Sequence, residues 1–183
     1  MLSRWFPSLL AVAALLLLSG CLPPGSNNGN NGSADAASDV VEGDFVATLG
    51  KSNQGDYEEF SSSPTLEVVS GFQGGFHIEP ALKIEELEAE EFFAVVTYHV
   101  EDVDSGEMLE QSPSMYRVDQ SAFETSGDAL LRNYERIILS VSTADDAAGR
   151  TVEVSVDVEI EGIGVVSTSR TVELVDEVDE FGG

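Results

Sequence analysis

The side chains able to do covalent or metal chemistry in this 183-residue chain are few: one cysteine, Cys21, and two histidines, His77 and His99, against 34 aspartates and glutamates. Cys21 stands directly behind Leu18-Ser19-Gly20, at the end of the apolar run 9–18 that follows Met1-Leu2-Ser3-Arg4. A short positive start, an apolar stretch and small residues make the three-part layout of a secretory signal. The run is too short for a permanent span, because crossing a hydrocarbon core takes about 20 apolar residues and Pro7 and Ser19-Gly20 bound it. With no second cysteine, the thiol has no disulfide partner within the chain.

His77 and His99 both lie in alternating, strand-like contexts. A direct hairpin between 76–84 and 92–100, turning near residue 88, would set them opposite each other, with Glu79 or Glu101 completing a zinc or copper site. Asp102-Val103-Asp104-Ser105-Gly106-Glu107 invites a calcium reading through Asp102 and Asp104, since carboxylates at alternate positions can converge on a hard cation. The EF-hand template fails there: glycine comes one position early and Pro113 stands where the bidentate glutamate belongs. A hairpin turn is the better account. The nucleophile elbow, the phosphate-cradling Gly-Lys loop and the zinc-protease helix motif are all missing from the sequence. Paired carboxylates occur by chance in so acidic a chain, so no enzyme activity and no cofactor is expected.

The tetrapeptide Leu18-Ser19-Gly20-Cys21 resembles the bacterial lipobox, Leu-(Ala/Ser/Thr)-(Gly/Ala)-Cys, at every position. The resemblance implies diacylglyceryl transfer to the Cys21 thiol, cleavage between Gly20 and Cys21 by the lipoprotein signal peptidase, and N-acylation of the new terminus. One acyl chain holds a protein to a bilayer only marginally, and two or more make attachment stable. Leu22 follows the lipidated position. In the sorting pattern of Gram-negative lipoproteins aspartate there retains the protein at the inner membrane, so Leu22 implies the outer membrane.

Residues 21–43 then change composition, with Pro23-Pro24-Gly25-Ser26-Asn27-Asn28-Gly29-Asn30-Asn31-Gly32-Ser33 leading the stretch. It reads as a flexible tether with a root-mean-square span of roughly 25 Å, several times the Debye length of about 8 Å at physiological ionic strength. Removal of the signal takes Arg4 with it and leaves seven basic residues against 34 acidic ones, a charge of −27. That charge repels nucleic acid and anionic lipid. No nucleic-acid partner is expected.

The segment 44–175 is long enough for one core and is patterned with period two. Residues 151–160 alternate apolar and polar without interruption, which directs Val152, Val154, Val156, Val158 and Ile160 to one face. Gly162-Ile163-Gly164 permits a reversal into a partner strand over 165–175, with Val166, Thr168, Arg170, Val172 and Leu174 on one face. Further strands are expected over 45–49, 65–69, 76–84, 92–103, 115–118 and 130–141, with turn residues between them. Glu85-Glu86-Leu87-Glu88-Ala89-Glu90-Glu91 reads as an acidic connection rather than a helix. Seven or eight strands predict an all-β fold, a single immunoglobulin-like β-sandwich over 44–175, with an acidic tail over 176–183.

One loop stands apart: Gly71-Phe72-Gln73-Gly74-Gly75-Phe76-His77. It resembles a Gly-x-Gln-Gly-Gly-aromatic-His entry to a strand found in a group of bacterial envelope lipoproteins, with Gly71, Gln73, Gly74, Gly75, Phe76 and His77 at the matching positions and Phe72 where the group has proline. No activity comes with that resemblance. Physically, adjacent glycines allow positive φ and close backbone approach, and Gln73 and His77 can tie a sharp loop or bulge to neighbouring strands. A loop facing a ligand is the alternative. The leading expectation is therefore a lipid-anchored, noncatalytic envelope module that binds a protein or glycan or serves a structural role. A cation-binding adhesion module is the second, and an envelope hydrolase without a recognisable motif a distant third.

Overall fold

The computed structural model describes residues 43–71, 74–133 and 135–176. Leu18, Ser19, Gly20 and Cys21, nearly all of the expected tether, Gln73 and the tail beyond Asp176 lie outside the described residues. Strand is the main regular structure of the described residues, with 3₁₀ turns at Gln120–Ala122 and Ala144–Asp146. Two sheets share one hydrophobic core.

The strands are β1 (Val46–Asn53), β2 (Asp56–Glu59), β3 (Thr65–Ser70), β4 (Phe76–Ile78), β5 (Pro80–Glu85) and β6 (Phe93–Asp102), followed by β7 (Ser114–Asp119), β8 (Glu124–Ser126), β9 (Ala129–Arg132), β10 (Ile137–Leu139), β11 (Thr151–Ile160) and β12 (Gly164–Asp176). One sheet runs β2-β1-β5-β9-β8, the other β10-β4-β3-β12-β11-β6-β7. All neighbours are antiparallel except β3, which pairs parallel with β12.

The seven-stranded sheet is organised on β11. Its alternation works as the sequence predicts: Val152, Val154, Val156, Val158 and Ile160 are at most 1% exposed, and each such buried side chain contributes about 1.5–3 kcal/mol. Both of its edges are occupied over nearly their full length, by β12 on one side and β6 on the other, so Val156 sits between Thr168 and Tyr98. From the opposite sheet Leu49 of β1 and Leu82 and Ile84 of β5 close the core. The expected inward face of β12 holds at Val172 and Leu174, whereas Arg170 is exposed and donates to the Ser61 carbonyl.

Three expectations need correction. Twelve strands stand among the described residues, where seven or eight were expected. The single strand expected over 76–84 breaks at Glu79, because Pro80 has no N–H to give a ladder and is accommodated as the first residue of a strand. Consequently β4 stays in the seven-stranded sheet while β5 passes to the other. The strand expected over 130–141 divides in the same way into β9 and β10. The two crossings are stitched together, since the Glu135 N–H donates to the Pro80 carbonyl at 2.8 Å.

The third correction is two strands not expected from the sequence: β8, which runs into the turn residues Ser126-Gly127, and β2, missed because Asp56-Tyr57-Glu58-Glu59 carries no apolar alternation. It forms through a two-residue turn in which Gln54 and Gly55 have φ of 55° and 90°, the backbone of a type I′ hairpin. Its Tyr57 ring crosses Gly50: a Cβ there would lie 2.6 Å from the ring and would also meet the Glu58 carbonyl. Gly50→Ala is expected to lower stability by about 1–3 kcal/mol through this overpacking, measured by urea denaturation.

The register sorts the loops into two ends. Gly43 donates to the Val165 carbonyl, beside the Gly162 turn and the start of β6. At the opposite end lie the β1–β2 turn, the Asp102–Gly106 turn, the 140–149 connection and the β3–β4 loop carrying Gly71, Gly74 and Gly75.

Candidate functional site

The end of the domain away from Gly43 gathers most of the residues that the sequence marks for chemistry. The β3–β4 loop is a hairpin connection in which Ser70 pairs with Phe76 and Val69 with His77. Gly71 donates to the Gly75 carbonyl at 2.7 Å, and Gly74 donates back to the Gly71 carbonyl at 2.9 Å. The three glycines are not equivalent. Gly74 has φ of 85°, where a side chain is strained; at Gly71 a Cβ would come within 3.1 Å of the Gly75 oxygen; at Gly75 nothing lies within 4 Å and φ is ordinary. Gln73 lies outside the described residues.

His77 is buried, with Nε2 3.2 Å from Glu79 Oε1, and the Arg136 guanidinium reaches the same oxygen at 3.5 Å. Glu79 thus links the imidazole to an arginine across the point where the chain changes sheet. Close by, buried Glu135 is ion-paired with Arg132, whose guanidinium lies over the rings of Tyr116 and Phe123 at 5.6 and 5.9 Å and donates to the Ala122 carbonyl.

Asp102 closes the next turn. Its Oδ1 accepts from the N–H groups of Asp104 and Ser105 at 3.1 and 2.8 Å and from the Ser105 hydroxyl at 2.8 Å. Its Oδ2 faces Arg150 Nη1 at 3.4 Å, and the same nitrogen reaches Glu107. The Ser105 N–H and hydroxyl, then the Arg150 charge, hold the Asp102 carboxyl below the usual carboxylate range, against the opposing effect of desolvation. Asp146, bonded to Thr143, is lowered in the same way. Both oxygens of Asp102 therefore serve the turn and the arginine, while Asp104 is exposed. The two carboxylates do not converge as the calcium reading requires.

The two histidines do not meet either. β4 and β6 are not a hairpin; β3, β12 and β11 stand between them in the same sheet, a separation of roughly 19 Å at about 4.8 Å per strand. His99 instead faces Glu110, Nδ1 to Oε1 at 3.1 Å, and the other oxygen of this buried carboxylate accepts from the Val100 N–H. Across β11, Glu101 lies opposite Glu153. Among the described residues no three His, Cys, Asp or Glu side chains are grouped to hold a metal ion.

Each imidazole is thus held by a carboxylate, the beginning of a general-base arrangement. Among the described residues neither ring has a hydroxyl or thiol as its further hydrogen-bond partner. The His77–Glu79 contact spans the β4–β5 crossing, and the His99–Glu110 contact joins β6 to the connection that follows it. Glu110, Glu135, Arg132 and Arg150 are the residues that sequence reasoning missed. Their one sequence signal is scarcity: with eight lysines and arginines in the whole chain, each arginine is surrounded by candidate acids, but which acid it meets depends on the pairing of distant strands.

No family profile and no curated protein matches the chain. Among solved structures it is similar to the crystal structure of a DUF4466 family protein from Parabacteroides merdae, at 15% identity and a TM-score of 0.28, over 71% of this chain and 45% of that one. The chain spans less than half the length of that protein, and at this score the likeness bears on neither fold nor function.

Two measurements test these assignments. Gly74→Ala is expected to cost about 1–2 kcal/mol, as positive φ does for a side chain, while Gly75→Ala stays within about 0.5 kcal/mol of the parent; chemical denaturation of both variants reads the contrast. For Asp102 the folded pKa is depressed, so its contribution is present above the unfolded value of about 3.9 and is lost as pH falls through the lower folded value. The melting temperature of Asp102→Asn should therefore lie below that of the parent at neutral pH, and the two should converge as the solution is acidified below the normal carboxylate range.

Proposed function

We propose that this protein is a lipid-anchored, noncatalytic lipoprotein of the cell envelope, held at the outer membrane of a Gram-negative bacterium by lipid on Cys21, whose acidic domain is an immunoglobulin-like β-sandwich acting as a binding or structural module. The observation that carries the reading is Leu18-Ser19-Gly20-Cys21 at the end of the apolar run. The position of Gly43 supports it, because the chain enters the domain at the end opposite the Gly71, Gly74 and Gly75 loop.

The immunoglobulin-like part is supported by strand order. β1-β5-β9-β8 follow the sequence A-B-E-D of one immunoglobulin sheet, and β12-β11-β6-β7 follow G-F-C-C′ of the other. β2, β3, β4 and β10 are additions beyond that order, β2 outside β1 and the other three outside β12. The noncatalytic part is supported by His77 and His99, both committed to carboxylates that hold strands in place.

The test is Cys21→Ser expressed in a Gram-negative host with radiolabelled palmitate. The parent is expected in the membrane fraction with label, and the variant unprocessed and without label. A variant that keeps its label and is processed at the same site would overturn the anchor.

A further inference from the structure

The outward face of β6 and its neighbours carries an apolar margin in an otherwise acidic surface. Apart from the initiator, the chain has two methionines, Met108 and Met115, and both are exposed, by 45% and 65%. Met115 lies opposite Thr97 of β6, and Met108 lies opposite Glu101. Directly opposed residues share one side of a sheet, and Thr97 and Glu101 alternate with the buried Tyr98, Val100 and Asp102. Both methionines therefore stand on the outer face, along the edge of the seven-stranded sheet where β7 has no further neighbour. Phe93, 55% exposed, occupies the same face at the start of β6, with Val95 next in line.

A scattered exposed apolar residue needs no explanation, but apolar side chains gathered on one face mark a contact surface. Methionine suits such a surface because its unbranched, polarisable side chain repacks around different partners. The charge around the margin then selects the occupant. On β11, the strand beside β6, the outward positions include Glu153, Asp157 and Glu159, and β7 ends at Asp119; Arg117 is the single arginine or lysine among the outward positions of β6, β7 and β11. A second copy of the chain would bring the same acids to the contact, and an anionic lipid surface would be repelled as well.

We infer that the β6–β7 face, centred on Phe93, Met108 and Met115, is a docking surface for a cationic protein segment whose apolar side chains pack on the methionines. The inference rests on the reading of the domain as a binding module and names its face and the chemistry of its partner. Carboxylates steer the segment in and set the salt dependence, and the buried apolar contact supplies the specificity that charge alone lacks.

The test uses the full chain in nonionic detergent, labelled with ¹³C at the methionine methyl groups, titrated with a short peptide alternating lysine with leucine. A lysine–serine peptide of the same length and charge is the comparison. The Met108 and Met115 resonances are expected to shift with the lysine–leucine peptide, and its affinity should exceed that of the lysine–serine peptide and weaken as salt is raised. Met115→Ser and Phe93→Ser should each weaken binding about tenfold, as loss of one buried apolar contact does, while Val46→Ser, at an exposed valine of the other sheet, should leave it within about twofold. Unmoved methionine resonances, equal affinity for the two peptides, or equal losses in Met115→Ser and Val46→Ser would each overturn the docking surface. None of these readings depends on lipid at Cys21, so failure here leaves the anchor standing, and failure of the anchor leaves this face intact.

Discussion

Everything else in the domain depends on the placement of β11 between β12 and β6. A strand with valine at every second position can bury one face only, and here that face is covered by the opposite sheet while both edges are hydrogen-bonded over nine or ten residues. Because side chains alternate strictly, slipping β11 by one residue against its neighbours would turn acids such as Glu153 and Asp157 into the core. The register is therefore enforced by charge on one side and hydrophobic burial on the other. Placing β12 fixes β3, its parallel neighbour, and through β3 the glycine loop. Placing β6 fixes β7, the Asp102 turn and the outer face with its methionines.

The second organising feature is a pair of sheet crossings that lie side by side. β4 to β5 and β9 to β10 both change sheet at the same end of the domain, joined by the Glu135 N–H to the Pro80 carbonyl. The ionic groups concentrate around them: His77 with Glu79 and Arg136, and Arg132 with Glu135. The Arg132–Glu135 pair is largely buried; such a pair adds modest net stability, and removing one partner is costly because the other is left desolvated. Their contribution here is to specify which strand goes to which sheet. In a chain with net charge −26, two of the few cations, Arg132 and Arg136, stand where strands change sheet, and a third, Arg150, holds the Asp102 turn.

The sequence-level reading was right where a single strand reports on its own surroundings. β11 is expected over 151–160 and found over Thr151–Ile160, and β3, β6, β7 and β12 fall within a residue or two of their expected positions. It failed where the information is held by a partner. Asp56-Tyr57-Glu58-Glu59 is too polar to read as a strand until β1 is beside it, and the breaks at Glu79 and after Arg132 are invisible to a count of β-branched residues, since both halves of each segment remain strand-like. The candidate sites divide in the same way. That adjacent glycines permit positive φ is legible in the sequence, but that Gly74 rather than Gly75 adopts it is not; the opposition of His77 and His99 depends on pairing, which places three strands between them.

By itself the sequence determined the all-β class, the period-two core of β11 and β12, the acidic character of the surface, and the lone thiol behind an apolar run, because each is a local property of residue type and spacing. Only the tertiary structure decided which carboxylate holds which histidine, that Asp102 holds the Ser105 turn and meets Arg150, and that Met108 and Met115 share one exposed margin. Those facts depend on contacts between residues far apart in the chain. Many partners are chemically equivalent in a sequence this rich in acids, and only the strand register selects among them.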